Sequence, residues 1–177
     1  KDSTIEFCKN VFAEVFELFP FEYAHLGGDE VEKDNWKKCA DCQKRIKEEG
    51  LESEEALQAW FVREMEQFFL ENNKRMLGWD EVVADGLSDK SVIMWWRGWE
   101  PKSIPTATAE GKNVVNTQNN YLYFDYDQDA KTLESLLGYD PVHADLSPEQ
   151  QEFVLGVQAN CWAEWIPSIA RLQYMFM

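Results

Sequence analysis

The chain of 177 residues has no apolar stretch of 18 residues, only two histidines and no basic patch. The missing apolar stretch excludes a predicted membrane-spanning helix. Lys and Arg number 17 against 33 for Asp and Glu, so the formal net charge is −16. Because such a surface repels polyanions, we expect neither nucleic acid nor an anionic membrane as a partner.

The sequence also has too few clustered ligands for a metal centre. Its histidines, His25 and His143, lie far apart, and the single CxxC pair, Cys39 and Cys42, is followed by no second pair of cysteines or histidines. Structural zinc sites need four such ligands. We therefore expect no metal and no cofactor, and either a disulfide or two free thiols at the start of a helix.

The residues that are present favour an α/β domain with a sizeable core, since 45% of them are hydrophobic and 14% aromatic. Apolar spacing predicts helices over 3–18, 53–72 and 101–110, and another beginning near Trp165. Strands are predicted over 21–26, 75–79, 91–96, 113–116 and 153–158, with a loop-rich insertion over 117–148. Helices that alternate with short strands are typical of parallel βαβ units.

Unusual residues follow the predicted strands. Residues 24–32 read AHLGGDEVE and place two glycines before the adjacent acids Asp29 and Glu30. The other strand ends carry the segments 79–81 (WDE), 95–97 (WWR), 121–127 (YLYFDYD) and 162–164 (WAE). In a (β/α)8 barrel such ends form the active-site face. Aromatic faces stack on sugar rings and carboxylates bind hydroxyls or transfer protons, so the pattern predicts a sugar site.

Residues 25–31, HLGGDEV, resemble the signature of family 20 glycoside hydrolases, the β-N-acetylhexosaminidases. The segments 78–81 (GWDE), 96–98 (WRG), 123–125 (YFD) and 156–164 (GVQANCWAE) follow in that family's order, so the resemblance covers nearly the whole chain. It implies a (β/α)8 TIM-barrel catalytic domain, here a partial barrel of about five βα units. It also implies hydrolysis of terminal non-reducing N-acetyl-β-hexosamine residues from glycans, without a metal or cofactor.

The resemblance implies a role for each matching residue. Glu30 would be the general acid/base, Asp29 would orient the 2-acetamido group, and Tyr123 would hydrogen-bond the acetamido oxygen. Three tryptophans would line the acetamido pocket: Trp79, Trp96 and Trp162. Two carboxylates would hold sugar hydroxyls: Asp125 and Glu164.

The adjacency of Asp29 and Glu30 agrees with a substrate-assisted reaction. Neighbouring side chains on an extended chain point to opposite sides, so the two acids are poorly arranged to flank one bond as nucleophile and acid. The acetamido oxygen would instead be the nucleophile and form an oxazolinium ring, an exception to the usual pair of carboxylates.

The sequence leaves several alternatives open. Only one of Trp95 and Trp96 should face the pocket, because neighbours alternate across a strand, and Trp96 is preferred. Tyr121 competes with Tyr123, whose spacing to Asp125 favours it. His25 is read as a hydrogen-bonded structural residue. The sugar can be GlcNAc or GalNAc. The enzyme can release either single terminal sugars or disaccharides.

Five strands do not close a barrel of eight, so we expect residues 1–177 to be the C-terminal part of a catalytic barrel whose N-terminal strands are absent. The open edge could pair with a second copy in a homo-oligomer, meet the rest of the barrel, or persist in a half barrel. The fragment alone is expected to be weak or inactive. The alternative is a non-catalytic carbohydrate-binding or structural fragment. By analogy, the location would be periplasmic, secreted or lysosomal.

Overall fold

The computed structural model describes residues 1–83, 86–127, 129–142 and 144–177. These residues divide into two compact units, Lys1–Val92 and Ile93–Met177. His143 lies outside the described residues. Across the described ranges, no helix is both long enough and apolar enough to cross a membrane.

The first unit contains two strands and the helices around them. In chain order these are α1 (Asp2–Leu18), β1 (Tyr23–Gly27), α2 (Asp34–Lys38), α3 (Ala40–Glu48), α4 (Glu54–Glu71), β2 (Arg75–Trp79) and a 3-10 turn (Asp80–Val82). Ser53 begins α4, because its side chain accepts a hydrogen bond from the Ala56 N–H at 3.1 Å. Phe69 on α4 is fully buried and contacts the rings of Phe12 and Phe16 at centroid distances of 4.8 and 5.0 Å. These rings join α1 to α4 in the core of the unit.

Strands β1 and β2 pair in parallel, as the βαβ pattern predicts. Tyr23, Ala24 and His25 lie opposite Arg75, Met76 and Leu77, and Gly27 then lies opposite Gly78. The register therefore shifts at Leu26, which is the extra residue of a β-bulge. Bulges bend a strand and often lie beside functional sites.

The second unit begins within β3 (Val92–Trp95), all of whose residues are buried. It continues with α5 (Ser103–Ala109), β4 (Asn113–Asn116), α6 (Asn119–Leu122), α7 (Ala130–Leu137), α8 (Pro148–Gln151), β5 (Val154–Val157), a 3-10 turn (Ala163–Trp165) and α9 (Ile169–Met175). The strand order is β3-β4-β5, and β4 pairs with β5 in parallel. Ile104 and Ala107 of α5 and Val114 of β4 are fully buried, so α5 covers this part of the sheet.

The described residues contain five strands at the predicted places, but the intervening regions are more helical than expected. The region 117–148, expected to be rich in loops, contains α6 and α7. Asp129 caps α7 by accepting the Thr132 N–H at 2.8 Å. The segment after the first motif forms the short α2 and then α3, and Cys39 and Cys42 are free thiols at the start of α3, as one of the two alternatives predicted. The helix expected near Trp165 begins at Ile169 instead, because Ala163–Trp165 forms a 3-10 turn.

Candidate active site

The loop after β1 has an unusual backbone. Gly27 and Gly28 have φ values of 93° and 100°, and Glu30 has a φ of 51°. The left-handed region suits glycine but costs a side-chain-bearing residue energy, and such strain often occurs at functional sites. The expectation of an extended pair of acids was therefore wrong, because the chain turns at Glu30. Both carboxylates, Asp29 and Glu30, are exposed in this unit.

Two glycines let this loop approach the loop after β2. A Cβ atom on Gly28 would lie 2.2 Å from Val82 Cγ1, and one on Gly78 would lie 2.5 Å from Val82 Cγ2. Neither position has room for a side chain. Gln58 on α4 also donates from Nε2 to the Gly28 carbonyl at 2.8 Å, so the loop is held from the helix side as well.

His25 is a hydrogen-bonded residue at the base of the loop. Its Nδ1 accepts the Gly27 N–H at 2.9 Å, which places the proton of the neutral ring on Nε2. Burial lowers the pKa of His25, and the nearby Asp29 carboxylate opposes that shift. The imidazole centroid lies 4.8 Å from that of Trp79, which is half-buried at the end of β2. His25 therefore contacts both the glycine loop and the predicted pocket tryptophan.

In the second unit, the two neighbouring tryptophans have different surroundings. Trp95 is 4% exposed and donates from Nε1 to the Glu100 carbonyl at 3.0 Å. Trp96 is half-buried, and its ring is nearly parallel to that of Tyr123 at a centroid distance of 6.3 Å. Trp95 thus belongs to the core, and Trp96 contributes to an aromatic cluster.

Tyr123 is the centre of this cluster. Its ring lies 6.1 Å from that of Tyr126 and 6.2 Å from that of Trp162. A parallel bridge to Asn160 fixes its backbone, with the Phe124 N–H donating to the Asn160 carbonyl at 2.7 Å. Burial raises the pKa of Tyr123 to about 12, although Trp162 and Asn160 oppose the shift. The phenol is therefore a hydrogen-bond donor at neutral pH.

Tyr121 lines the same small cavity as Tyr123, but its ring has a different partner. Its ring stacks on that of Tyr139 at 4.2 Å, and the Tyr139 hydroxyl donates to Asn116 Oδ1 at 2.9 Å. Of the two competing tyrosines, Tyr123 is therefore the one that lies between Trp96 and Trp162.

Asp125 is a buried carboxylate beside this cluster. It is 4% exposed, and its Oδ1 has no hydrogen-bond partner among the described residues. Asn160, which was not predicted from the sequence, is 7% exposed. Its Nδ2 donor also has no hydrogen-bond partner among the described residues. Its position two residues before Trp162 in the 156–164 motif was the available signal. Buried polar atoms are normally satisfied, so this acceptor and this donor are suited to binding a polar ligand.

The last motif contributes more exposed side chains. Trp162 is 42% exposed, and Glu164 is exposed on the 3-10 turn Ala163–Trp165. The second unit thus brings Trp96, Tyr123 and Trp162 together and leaves Glu164 in solvent. Within the described ranges, no three side chains of His, Cys, Asp or Glu are arranged to hold a metal ion.

Parallel strands that end in carboxylates and aromatic rings define an α/β protein with a candidate carbohydrate site. The sequence model described as "Glycosyl hydrolase family 20, catalytic domain" matches residues 1–177, and the chain belongs to this family. A β-hexosaminidase from Porphyromonas gingivalis is 37% identical over 185 residues, which cover 98% of this chain and 24% of that protein.

Solved structures agree with this assignment. An exo-β-N-acetylglucosaminidase from Vibrio harveyi, in complex with N-acetylglucosamine, has a TM-score of 0.84 and 31% identity over 97% of this chain and 29% of its own. A β-N-acetylhexosaminidase from Bacteroides fragilis has a TM-score of 0.78 and 33% identity over 92% and 35%. The expected fold class, that of the TIM-barrel hydrolases of this family, is confirmed. The chain spans about a quarter to a third of the length of these relatives.

Proposed function

We propose that the protein carrying this chain hydrolyses terminal non-reducing N-acetyl-β-hexosamine residues from glycans, with retention of configuration and participation of the substrate's acetamido group. The observation that carries the proposal is the second unit's cluster, in which Tyr123 lies between two tryptophans beside the buried, unpartnered Asp125 oxygen. Family membership and the names of the relatives support the same activity. We further propose that residues 1–177 form the C-terminal part of the catalytic barrel.

In this proposal Glu30 is the general acid/base. It protonates the glycosidic oxygen as the acetamido oxygen attacks the anomeric carbon, and its carboxylate then takes a proton from the water that opens the oxazolinium ring. Asp29 orients the acetamido N–H and balances the positive charge that develops on the ring. The left-handed backbone at Glu30 supports a functional role for this loop, because a residue with a side chain adopts that conformation only at an energy cost.

Tyr123 is proposed to donate its hydroxyl proton to the acetamido oxygen. Burial supports this role because it keeps the phenol protonated, with a pKa of about 12. The tryptophans proposed to line the acetamido pocket are Trp79, Trp96 and Trp162. Their apolar faces would exclude water from the developing ring and strengthen the polar contacts there.

Asp125 is proposed to accept a hydrogen bond from a sugar hydroxyl. A buried carboxylate oxygen without a donor is costly, and a hydroxyl group would relieve that cost. Glu164 is proposed to bind a second hydroxyl from its exposed position on the 3-10 turn. These two carboxylates would hydrogen-bond to the O4 and O6 hydroxyl groups of the sugar.

The test is the substitution Glu30→Gln in the longest natural protein that contains this chain, assayed with 4-nitrophenyl N-acetyl-β-D-glucosaminide and the galactosaminide. We expect kcat to fall by at least about 10²-fold while sugar binding persists, because an amide cannot supply the proton. Glu32→Gln, which changes an exposed carboxylate two residues away, is the matched control and should retain activity.

Two results would contradict the proposal. Unchanged turnover in Glu30→Gln would remove Glu30 from the acid/base role. If the folded, unsubstituted protein released no nitrophenol from either substrate yet bound N-acetylhexosamine, the non-catalytic carbohydrate-binding alternative would replace the enzyme.

A further inference from the structure

Cys39 and Cys42 lie together at the beginning of α3, in the first unit. Cys39 precedes the helix in an extended conformation, with φ −83° and ψ 114°, and its carbonyl accepts the Gln43 N–H at 3.0 Å. Both cysteines are half-buried and neither forms a disulfide. One turn of chain therefore separates two thiols that solvent can reach.

The surroundings make the two thiols unequal. The backbone N–H and the thiol of Cys42 lower the pKa of Cys39, whereas burial raises the pKa of Cys42. The Asp41 carboxylate between them would oppose thiolate formation, but it is paired with Lys1 Nζ at 3.1 Å. Thiolates are the nucleophiles in cysteine chemistry, and helix starts favour them.

The start of α3 is held firmly by its neighbours. Gln43 Nε2 donates to the Trp36 carbonyl at 3.0 Å and to Glu54 Oε1 at 2.8 Å. Arg45 is ion-paired with Asp2, and its guanidinium lies 5.0 Å from the Trp60 ring centroid. The two sulfurs are thus presented on an anchored turn, which reduces the entropy cost of joining them.

We propose that Cys39 and Cys42 form a dithiol–disulfide site, in which Cys39 attacks an external low-molecular-weight disulfide and Cys42 closes the intramolecular bond. This site is separate from the proposed hydrolase chemistry and does not depend on it. A metal is the weaker alternative, because among the described residues no third His, Cys, Asp or Glu completes a ligand set with this pair.

The chemistry balances with a small disulfide such as oxidised glutathione. The Cys39 thiolate attacks one sulfur of that disulfide, forms a mixed disulfide and releases one glutathione thiolate. Cys42, after losing its proton to solvent or to that leaving thiolate, attacks the Cys39 sulfur and releases the second glutathione. The dithiol loses two electrons, the external disulfide gains them, and the two thiol protons end on the two released thiols.

The test is differential alkylation with peptide mapping on the longest natural protein that contains this chain. The protein is equilibrated in reduced and oxidised glutathione buffers, quenched in acid, and labelled with two isotopic forms of iodoacetamide. We expect a Cys39–Cys42 linked peptide that dithiothreitol reverses, and alkylation of Cys39 in the reduced protein about tenfold faster than that of Cys42. This measurement on the unsubstituted protein requires no variant to fold.

Substitutions then assign the order of attack. Cys42→Ser should trap glutathione on Cys39, whereas Cys39→Ser should leave Cys42 largely unmodified. Cys8→Ser, which removes the half-buried cysteine of α1, is the matched control and should leave the linked peptide unchanged. The proposal is overturned if Cys39 and Cys42 stay reduced in oxidised glutathione, or if glutathione is trapped on Cys42 in preference to Cys39.

Discussion

At the scale of single residues, the protonation state of His25 makes the conformation of the loop after β1 depend on pH. Its Nδ1 accepts the Gly27 N–H only while the ring is neutral, and burial keeps it neutral by lowering its pKa below the ordinary value of 6.5. A proton on Nδ1 would remove the acceptor that holds Gly27. The loop that carries Asp29 and Glu30 should therefore loosen in acid.

Protonation of His25 should also lower the stability of the folded protein. Because the folded-state pKa of His25 is lowered, the unfolded chain binds the proton more readily, and the free energy of unfolding should decrease as pH falls below about 6.5. In His25→Asn the side-chain oxygen can accept the same N–H without titrating, so this part of the pH dependence should disappear. Urea denaturation of both proteins between about pH 5 and pH 8 measures it. Equal slopes against pH in the two proteins would contradict the prediction.

Tyr123 allows a test of a single hydroxyl group. If it donates to the acetamido oxygen, Tyr123→Phe should lower kcat/KM by about 10²-fold, as loss of one donor at a developing charge does. With a pKa of about 12, the phenol should contribute no ionisation to the pH–rate profile in the neutral range. Tyr121→Phe is the matched control, because Tyr121 stacks on Tyr139 outside the cluster. Equal losses in the two variants would argue against a specific role for Tyr123.

At the scale of elements, α4 organises the loops that follow both strands of the first unit. One face packs Met65 and Phe69 into the core, and Gln58 donates to the Gly28 carbonyl. Farther along, Glu66 is 5% exposed and accepts the Ser88 N–H at 3.0 Å, the Ser88 hydroxyl at 2.8 Å and the Ser91 hydroxyl at 2.5 Å. The helix thus holds the end of the connection that leads into β3.

Glu66→Ala should destabilise the protein by about 3 kcal/mol, because it leaves buried donors on Ser88 and Ser91 without an acceptor. Chemical denaturation of the longest natural protein that contains this chain measures the loss. Glu71→Ala, at an exposed position on the same helix, should change stability by no more than about 0.5 kcal/mol. A loss in Glu66→Ala as small as that of the control would show that the Ser88 and Ser91 donors find other partners.

These elements show what local pattern can and cannot predict. Apolar spacing and strand-end motifs predict α1, α4 and the parallel strands, because periodicity reflects which face is buried. The bulge at Leu26 and the packing of Gly28 against Val82 involve β2 and the turn after it, which are distant in sequence, so local pattern does not predict them. The burial of Glu66 was not predicted either, because a glutamate in a helix is normally exposed to solvent.

The same limit applies to the candidate site. The motifs predict Tyr123 and Asp125 as site residues by spacing and family resemblance. Strand alternation limited the pocket-facing tryptophan to one of Trp95 and Trp96, and the position of Trp96 directly before Arg97 favoured it. Asn160 was missed, because an asparagine gives no periodic signal, and its place in the 156–164 motif did not show that it forms a bridge with Tyr123. The distances within each unit therefore required the structure.

At the scale of the whole molecule, each unit leaves large apolar side chains in solvent. In the first unit these are Phe7, Leu18, Phe19 and Phe21, each at least 58% exposed. In the second they are Trp165, Ile169, Tyr174 and Phe176, each at least 54% exposed. Clustered exposed apolar side chains usually mark surfaces that something else covers.

If residues 1–177 are part of a longer catalytic barrel, as proposed, the chain expressed alone should bind a hydrophobic dye and self-associate despite its net charge of −16. It should also hydrolyse the nitrophenyl substrate far more slowly than the longer protein. Light scattering, dye fluorescence and activity, measured on both proteins at equal molar concentration, test this. A monomeric, dye-negative chain with full activity would show that these side chains need no cover.

The contact of Gly28 and Gly78 with Val82 has a consequence for how this sequence can diverge. Three positions share a space that holds one branched side chain, so volume added at position 78 must be removed at position 82. Position 28 lacks even this freedom, because its φ of 100° disfavours any side chain. Among descendants of this sequence, positions 78 and 82 should covary, whereas position 28 should remain glycine.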